Sequence, residues 1–124
     1  MNYLGIDYGE AKIGVALATG PLAEPLTTIN TNNAIKILEQ LIQKHQIDKI
    51  IIGLPDGPVK FQVEEFIQKL RTMNYELITI DETLSSHDAR EKLLHTTQSK
   101  RRLIEHQVAA ALILQNYLDS EVLK

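Results

Sequence analysis

The 124-residue sequence predicts an α/β fold: a mixed five-stranded sheet with helices on both faces, antiparallel in its first three strands and parallel thereafter. Three observations lead there. Two β-rich segments near the amino terminus are separated by only a short Gly-containing turn, which reads as a hairpin. Short apolar runs then alternate with segments of helical periodicity, the pattern of βα crossovers between parallel strands. One of those runs, DKIIIGLP (48–55), is almost wholly apolar up to its Gly and Pro, as suits a strand covered on both faces.

The hairpin joins YLGID (3–7) to KIGVALA (12–18), and PLTTI (25–29) follows the Gly20-Pro21 punctuation as a third strand. Residues 33–45 place Ile35, Leu38, Leu41 and Ile42 at helical spacing. After the 48–55 strand, Phe61, Val63, Phe66, Ile67 and Leu70 mark a second helix over 61–72. ELITID (76–81) is the fifth strand, and a polar helix is expected over 85–95. HTTQSKRR then reads as a loop into a last, largely apolar helix, buried from Ile104 onward. With no linker, repeat or low-complexity tract, the chain reads as a single domain, 1–124.

Composition narrows the function classes. Apolar residues make up 44% and charged residues 23%, which suits a folded soluble chain. The absence of cysteine excludes disulfides, thiolate zinc sites and cysteine nucleophiles together. No stretch reaches the length of a membrane span, and Met1 runs directly into a strand, so a cytoplasmic protein without membrane contact is expected. A net charge of −3 offers no general attraction for nucleic acid, so any such binding needs a local basic patch.

In sheets of this kind ligands gather at the carboxyl ends of the parallel strands. Asp7 ends the first strand and Glu82 directly follows the fifth. If the crossovers are right-handed, strands one, four and five are parallel neighbours and both acids reach one rim. Asp56 follows the fourth strand near the same edge. Converging carboxylates repel unless a cation neutralises them, and an oxygen-rich cluster suits a hard divalent ion, Mg²⁺ or Mn²⁺. Taken singly, each acid is equally well explained as a cap of a turn or a helix.

GIDYGEAKIGVALA, IIGLPDG, TIDETLSS and AAALILQNYL together resemble the four signature blocks of the YqgF/RuvX family. They occur in family order from Met1 to about Leu118. These are ribonuclease H-like proteins, also described as Holliday-junction-resolvase-like and as pre-16S rRNA nucleases. The resemblance implies a ribonuclease H-like fold and metal-dependent endonucleolytic cleavage in structured nucleic acid. The substrate it implies is structured RNA (precursor rRNA, hence ribosome biogenesis) or branched DNA. It places the family's first aspartate on Asp7 and its second acid on Glu82.

The sequence departs from the family pattern at several positions. Lys12 stands where Arg is usual, keeping the charge but losing the bidentate fork. The loop after Gly53-Leu54-Pro55 is short, Thr83 replaces an Arg, and Ser85 and Ser86 replace threonines. Aligned on Ala109-Ala110 and Ile113-Leu114-Gln115, the family's helix-borne aspartate falls on His106. Two-metal phosphoryl chemistry needs one carboxylate that bridges both ions and others that fix each singly. The implied roles are bridge for Asp7, single-ion ligand for Glu82, and ligand or catalytic histidine for His106. A neutral imidazole, the usual state near pH 7, moves the preference from Mg²⁺ toward Mn²⁺. His106, Ala110 and Ile113 share a helix face, and Ala110 is small enough for close approach. Glu105 is the rival if the register slips by one residue; otherwise it is expected in solvent. His106 is also open to a plainer reading, an exposed residue at a helix start.

SKRRL (99–103) concentrates Lys100, Arg101 and Arg102, unfavourably placed at a helix start unless an anion answers them. With Lys12 and Arg90 they form the expected phosphate-binding track. Gly9 and Gly14 also resemble the phosphate-approach hairpins of sugar kinases and actin-like ATPases, but those enzymes close two such domains on a nucleotide and this chain has room for one. The alternative of another class is an RNase H-like nucleic-acid-binding scaffold whose catalysis is impaired by His106.

Overall fold

A computed structural model of the chain describes residues 1–54, 60–73, 75–81 and 98–122. Its strands are β1 (Tyr3–Asp7), β2 (Lys12–Ala18), β3 (Glu24–Asn30), β4 (Lys49–Leu54) and β5 (Glu76–Asp81). Its helices are α1 (Ala34–His45), α2 (Lys60–Arg71) and α3 (Gln98–Val122), with a short 3₁₀ turn at Thr31–Asn33. The five strands form one sheet in the order β3-β2-β1-β4-β5. β1–β2 and β2–β3 are antiparallel, whereas β1–β4 and β4–β5 are parallel, as the sequence predicts. The helix expected over 85–95 lies outside the described residues.

Strand alternation sorts the side chains into two layers. Leu4, Ile6, Ile13, Val15, Ile50 and Ile52 form one core with α1 and α2, through Leu38, Ile42, Val63, Phe66 and Leu70. Ala16, Ala18 and Ile51 form the other, with Ala110, Ile113, Leu114 and Tyr117 of α3. β4 contributes to both cores, which is why its apolar run is continuous.

The sheet under α3 is floored with small residues, so the helix backbone sits very close to it. A Cβ placed on Gly5 would stand 2.8 Å from the Leu114 Cβ and 2.9 Å from the Ala110 carbonyl oxygen. Gly5 and Ala16 are paired across β1 and β2 and share this face. That seating fixes the position of α3 over the sheet, and with it the site.

α1 ends in a turn closed by Ile47 N–H donating to the Ile42 carbonyl at 3.0 Å. The residue that turns the chain is Gln46, at φ 51°, a conformation that favours glycine. The Asn2 side chain donates to the carbonyls of His45 and Gln46, tying this end of α1 to the start of β1.

The last helix starts earlier than its apolar run suggests. Gln98–Leu103 are helical, so the basic segment forms the first turns of α3 rather than a loop before it. Lys, Arg and Leu are good helix formers, and the helix extends through them. His106 therefore lies in the third turn and not the first.

Candidate active site

Asp7 is the last residue of β1 and is 6% exposed. Alternation along β1 puts it on the α3 face, two residues beyond Gly5. Its strand neighbours are both glycines: Gly14 on β2 and Gly53 on β4. No side chain from either flank crowds the carboxylate.

The space that Gly14 leaves is filled by α3. A Cβ at Gly14 would lie 1.9 Å from the His106 carbonyl oxygen and 2.7 Å from the Gln107 nitrogen. Any side chain there collides with helix backbone. This contact pins the turn of α3 bearing His106 beside the end of β1. Gly14 thus makes room for the protein's own helix, and not for a nucleotide phosphate as in the ATPase-like reading.

The result is a direct meeting of Asp7 and His106. His106 Nδ1 lies 3.2 Å from Asp7 Oδ2, across 99 residues of sequence. The imidazole is half-buried, and its pKa is raised. The Asp7 hydrogen bond is the main cause; burial opposes it, while the charges of Asp7 and Glu105 add to it. In the metal-free chain the balance therefore moves toward imidazolium, away from the neutral ring expected near pH 7. A buried carboxylate that rewards the added proton is the physical reason. Glu105 is half-buried rather than free in solvent.

The hairpin turn closes over the ring. A Cβ on Gly9 would stand 3.3 Å from His106 Cε1 and 2.4 Å from the Lys12 carbonyl oxygen. Thr31 holds the turn from the other side, its hydroxyl donating to the Gly9 carbonyl at 2.8 Å and its N–H to the Ala11 carbonyl at 3.0 Å. Lys12 is exposed, and its ammonium donates to the Asn30 side-chain oxygen.

Of the residues singled out from sequence, the structure brings Asp7 and His106 together. Glu82 follows β5 directly but lies outside the described residues, as do Asp56 and Arg90. The side chains of Lys100, Arg101 and Arg102 are likewise outside them. No group of three or more metal-ligating side chains occurs among the described residues. The pair itself fits one ion: neighbouring donors on an octahedral ion with bonds of about 2.1 Å lie about 3 Å apart. Among the described residues Asp7 Oδ1 carries no other partner and could complete such a site with further ligands. A carboxylate-oriented imidazole is also the arrangement of a general base.

Sequence reasoning missed Gly14 and Gly53 as parts of this site. Hairpin register could have found the first, since pairing Tyr3 with Ala18 sets Asp7 opposite Gly14.

A family model described as "RuvX: Holliday junction resolvase" matches residues 1–120. The chain belongs to the RuvX family. Among curated RuvX relatives, one from Syntrophus aciditrophicus (strain SB), named "Putative pre-16S rRNA nuclease", is 38% identical over 97% of this chain and 89% of its own. One of the same name from Thermoanaerobacter pseudethanolicus (strain ATCC 33223 / 39E) is 35% identical over 98% of both. Solved structures extend the likeness of this RuvX-family chain to junction resolvases. Thermus thermophilus RuvC in complex with a Holliday junction substrate superposes with a TM-score of 0.63 at 10% identity, covering 98% of this chain and 96% of that one. Fowlpox virus resolvase with junction DNA gives 0.66 at 14% identity over the full length of both. At such identities the likeness is one of fold, and the fold is ribonuclease H-like. No described helix is long and apolar enough to cross a membrane.

Proposed function

We propose that this RuvX-family chain is a single-domain, metal-dependent endonuclease of the cytoplasm that cleaves phosphodiester bonds in structured nucleic acid. Its proposed reaction is 5′-end processing of pre-16S rRNA during ribosome biogenesis. The names of its relatives support the substrate, and the resolvase fold supports cleavage of a branched or folded one. The observation that carries the reading is the buried Asp7 carboxylate at the end of β1, met by His106 from α3.

In this reading Asp7, Glu82 and His106 would hold Mg²⁺ or Mn²⁺, with Mn²⁺ preferred because one donor is an imidazole. What a divalent ion supplies when bound there is Lewis acidity, activating water and offsetting charge on the phosphoryl and leaving oxygens. The chain's own part is positional. Asp7 presents a carboxylate that its glycine neighbours leave open, and the clash-limited seat of α3 on Gly14 holds His106 against it. A ligating His106 would be neutral, whereas Asp7 favours its protonated form, so an ion bound there would compete with the proton. Lys12, Arg90, Lys100, Arg101 and Arg102 contact the phosphate backbone and set register, not sequence.

The test is cleavage of a structured precursor RNA with Mg²⁺ and Mn²⁺ side by side. The parent should cut better with Mn²⁺, Asp7→Asn should lose cleavage while staying folded, and His106→Asp should gain Mg²⁺-supported activity. An Asp7→Asn variant as active as the parent places the site elsewhere. Binding without cleavage under either ion turns the chain into a non-cutting scaffold.

A further inference from the structure

Among the described residues, charge near Asp7 differs between the two faces of the sheet. On the side of β2 and β3, Lys12 pairs with Asn30 in the sheet register, and the two side chains touch. Both stand on the face that carries Asp7, since Lys12 is two residues before Gly14, the partner of Asp7. From Asn30 the chain enters the 3₁₀ turn, where Asn32 and Asn33 are exposed. Thr31 anchors that turn to the hairpin at Gly9 and Ala11. Residues 25–38 contain no acid at all, and their one charge is Lys36.

The face of the sheet opposite Asp7 carries acids near the end of β1. Tyr8 packs on Phe66 of α2 with ring centroids 5.2 Å apart. Burial raises its pKa first, and the charges of Glu10, from the β1–β2 turn, and Glu65, from α2, raise it further, so both carboxylates act on Tyr8 on the face away from Asp7. Glu64, next to Glu65 on α2, is exposed. Among the described residues of a chain of net charge −3, the β2–β3 end of the Asp7 face offers a polyanion a cation and neutral amides.

We infer that the substrate's sugar-phosphate backbone leaves the Asp7 site across the β2–β3 end of the sheet, held by Lys12, Asn30, Asn32 and Asn33. The inference rests on the nuclease reading above and adds the direction and the residues. Two strand spacings, about 10 Å, separate β3 from β1, so the amides meet backbone beyond the scissile position. Side-chain amides donate to phosphate and sugar oxygens without reading sequence, as positioning contacts do.

The experiment measures binding of a stem–loop RNA with a single-stranded 5′ extension at low salt, in an Asp7→Asn background that does not cut. Asn32→Asp and Asn33→Asp should each weaken binding about fivefold, the effect of a like charge about 5 Å from a phosphate in water. Lys12→Gln should lower the slope of log affinity against log salt by about one unit. Glu64→Gln should change affinity less than about twofold. Asn33 precedes α1 and makes no capping hydrogen bond with its side chain, so Asp there forfeits none and its charge suits the helix dipole. Asn33→Asp should therefore melt at or above the parent while binding worse, a pairing of signs that misfolding cannot produce. Parent-like affinity in both aspartate variants, or tighter binding by Glu64→Gln alone, overturns the path. If the Asp7→Asn protein itself binds no RNA, the nuclease reading falls, and this inference with it.

Discussion

Replacing Gly14 with alanine tests the geometry on which the whole site depends. The added Cβ would stand 1.9 Å from the His106 carbonyl oxygen, whereas ordinary contact begins at 3.4 Å. The obstacle is helix backbone, so no rotamer change relieves it. α3 must retreat by about 1.5 Å, the difference between those distances. A retreat of that size takes His106 Nδ1, now 3.2 Å from Asp7, out of hydrogen-bond range. It also loosens Ala110, Ile113 and Leu114, which are fully buried against the sheet. Overpacking usually costs about 1–3 kcal/mol, and a backbone obstacle belongs at the upper end. For a chain of this size that is a fall in Tm of about 10 °C by thermal unfolding. Cleavage should drop about a hundredfold, as when reacting groups are displaced by an ångström. Gly20→Ala is the control, because nothing lies within 4 Å of a Cβ there. Its stability should stay within about 0.5 kcal/mol of the parent. A Gly14→Ala protein that melts within about 2 °C of the parent and cuts normally would refute the close seating of α3.

Two further outcomes follow from single residues. Gln46→Gly should stabilise the chain by about 0.5–1 kcal/mol in a urea titration, because Gln46 holds φ 51° without the freedom of glycine; a destabilised variant would mean its side chain contributes more than its backbone costs. The His106–Asp7 pair should make stability pH-dependent when a chelator keeps ions away. The folded-state pKa of His106 is raised, so its contribution is complete below the unfolded value of about 6.5 and is lost as pH rises through the folded value. The Tm gap between the parent and His106→Ala should therefore narrow from about pH 6 to about pH 9, and a gap that widens over that range contradicts the pairing.

Most of the secondary structure was legible in the residues themselves, because periodicity is local. Alternation and helical spacing set the ends of β1 to β5, α1 and α2 within one residue, and strand order followed from connectivity. The placement of Asp7 at the rim was equally legible, being a matter of where β1 stops. The family likeness pointed to His106, but the residues alone left Glu105 and a solvent-facing start as rivals. Only the packing of α3 decided which side chain meets Asp7, since that depends on Gly5 and Gly14 admitting helix backbone from about a hundred residues away. The start of α3 was hidden for a related reason: the helix continues through residues whose polarity looks like a loop but whose helix propensity is high. The proton preference of His106 was beyond sequence altogether, because a pKa follows from the carboxylate that folding places beside the ring and not from the residue type.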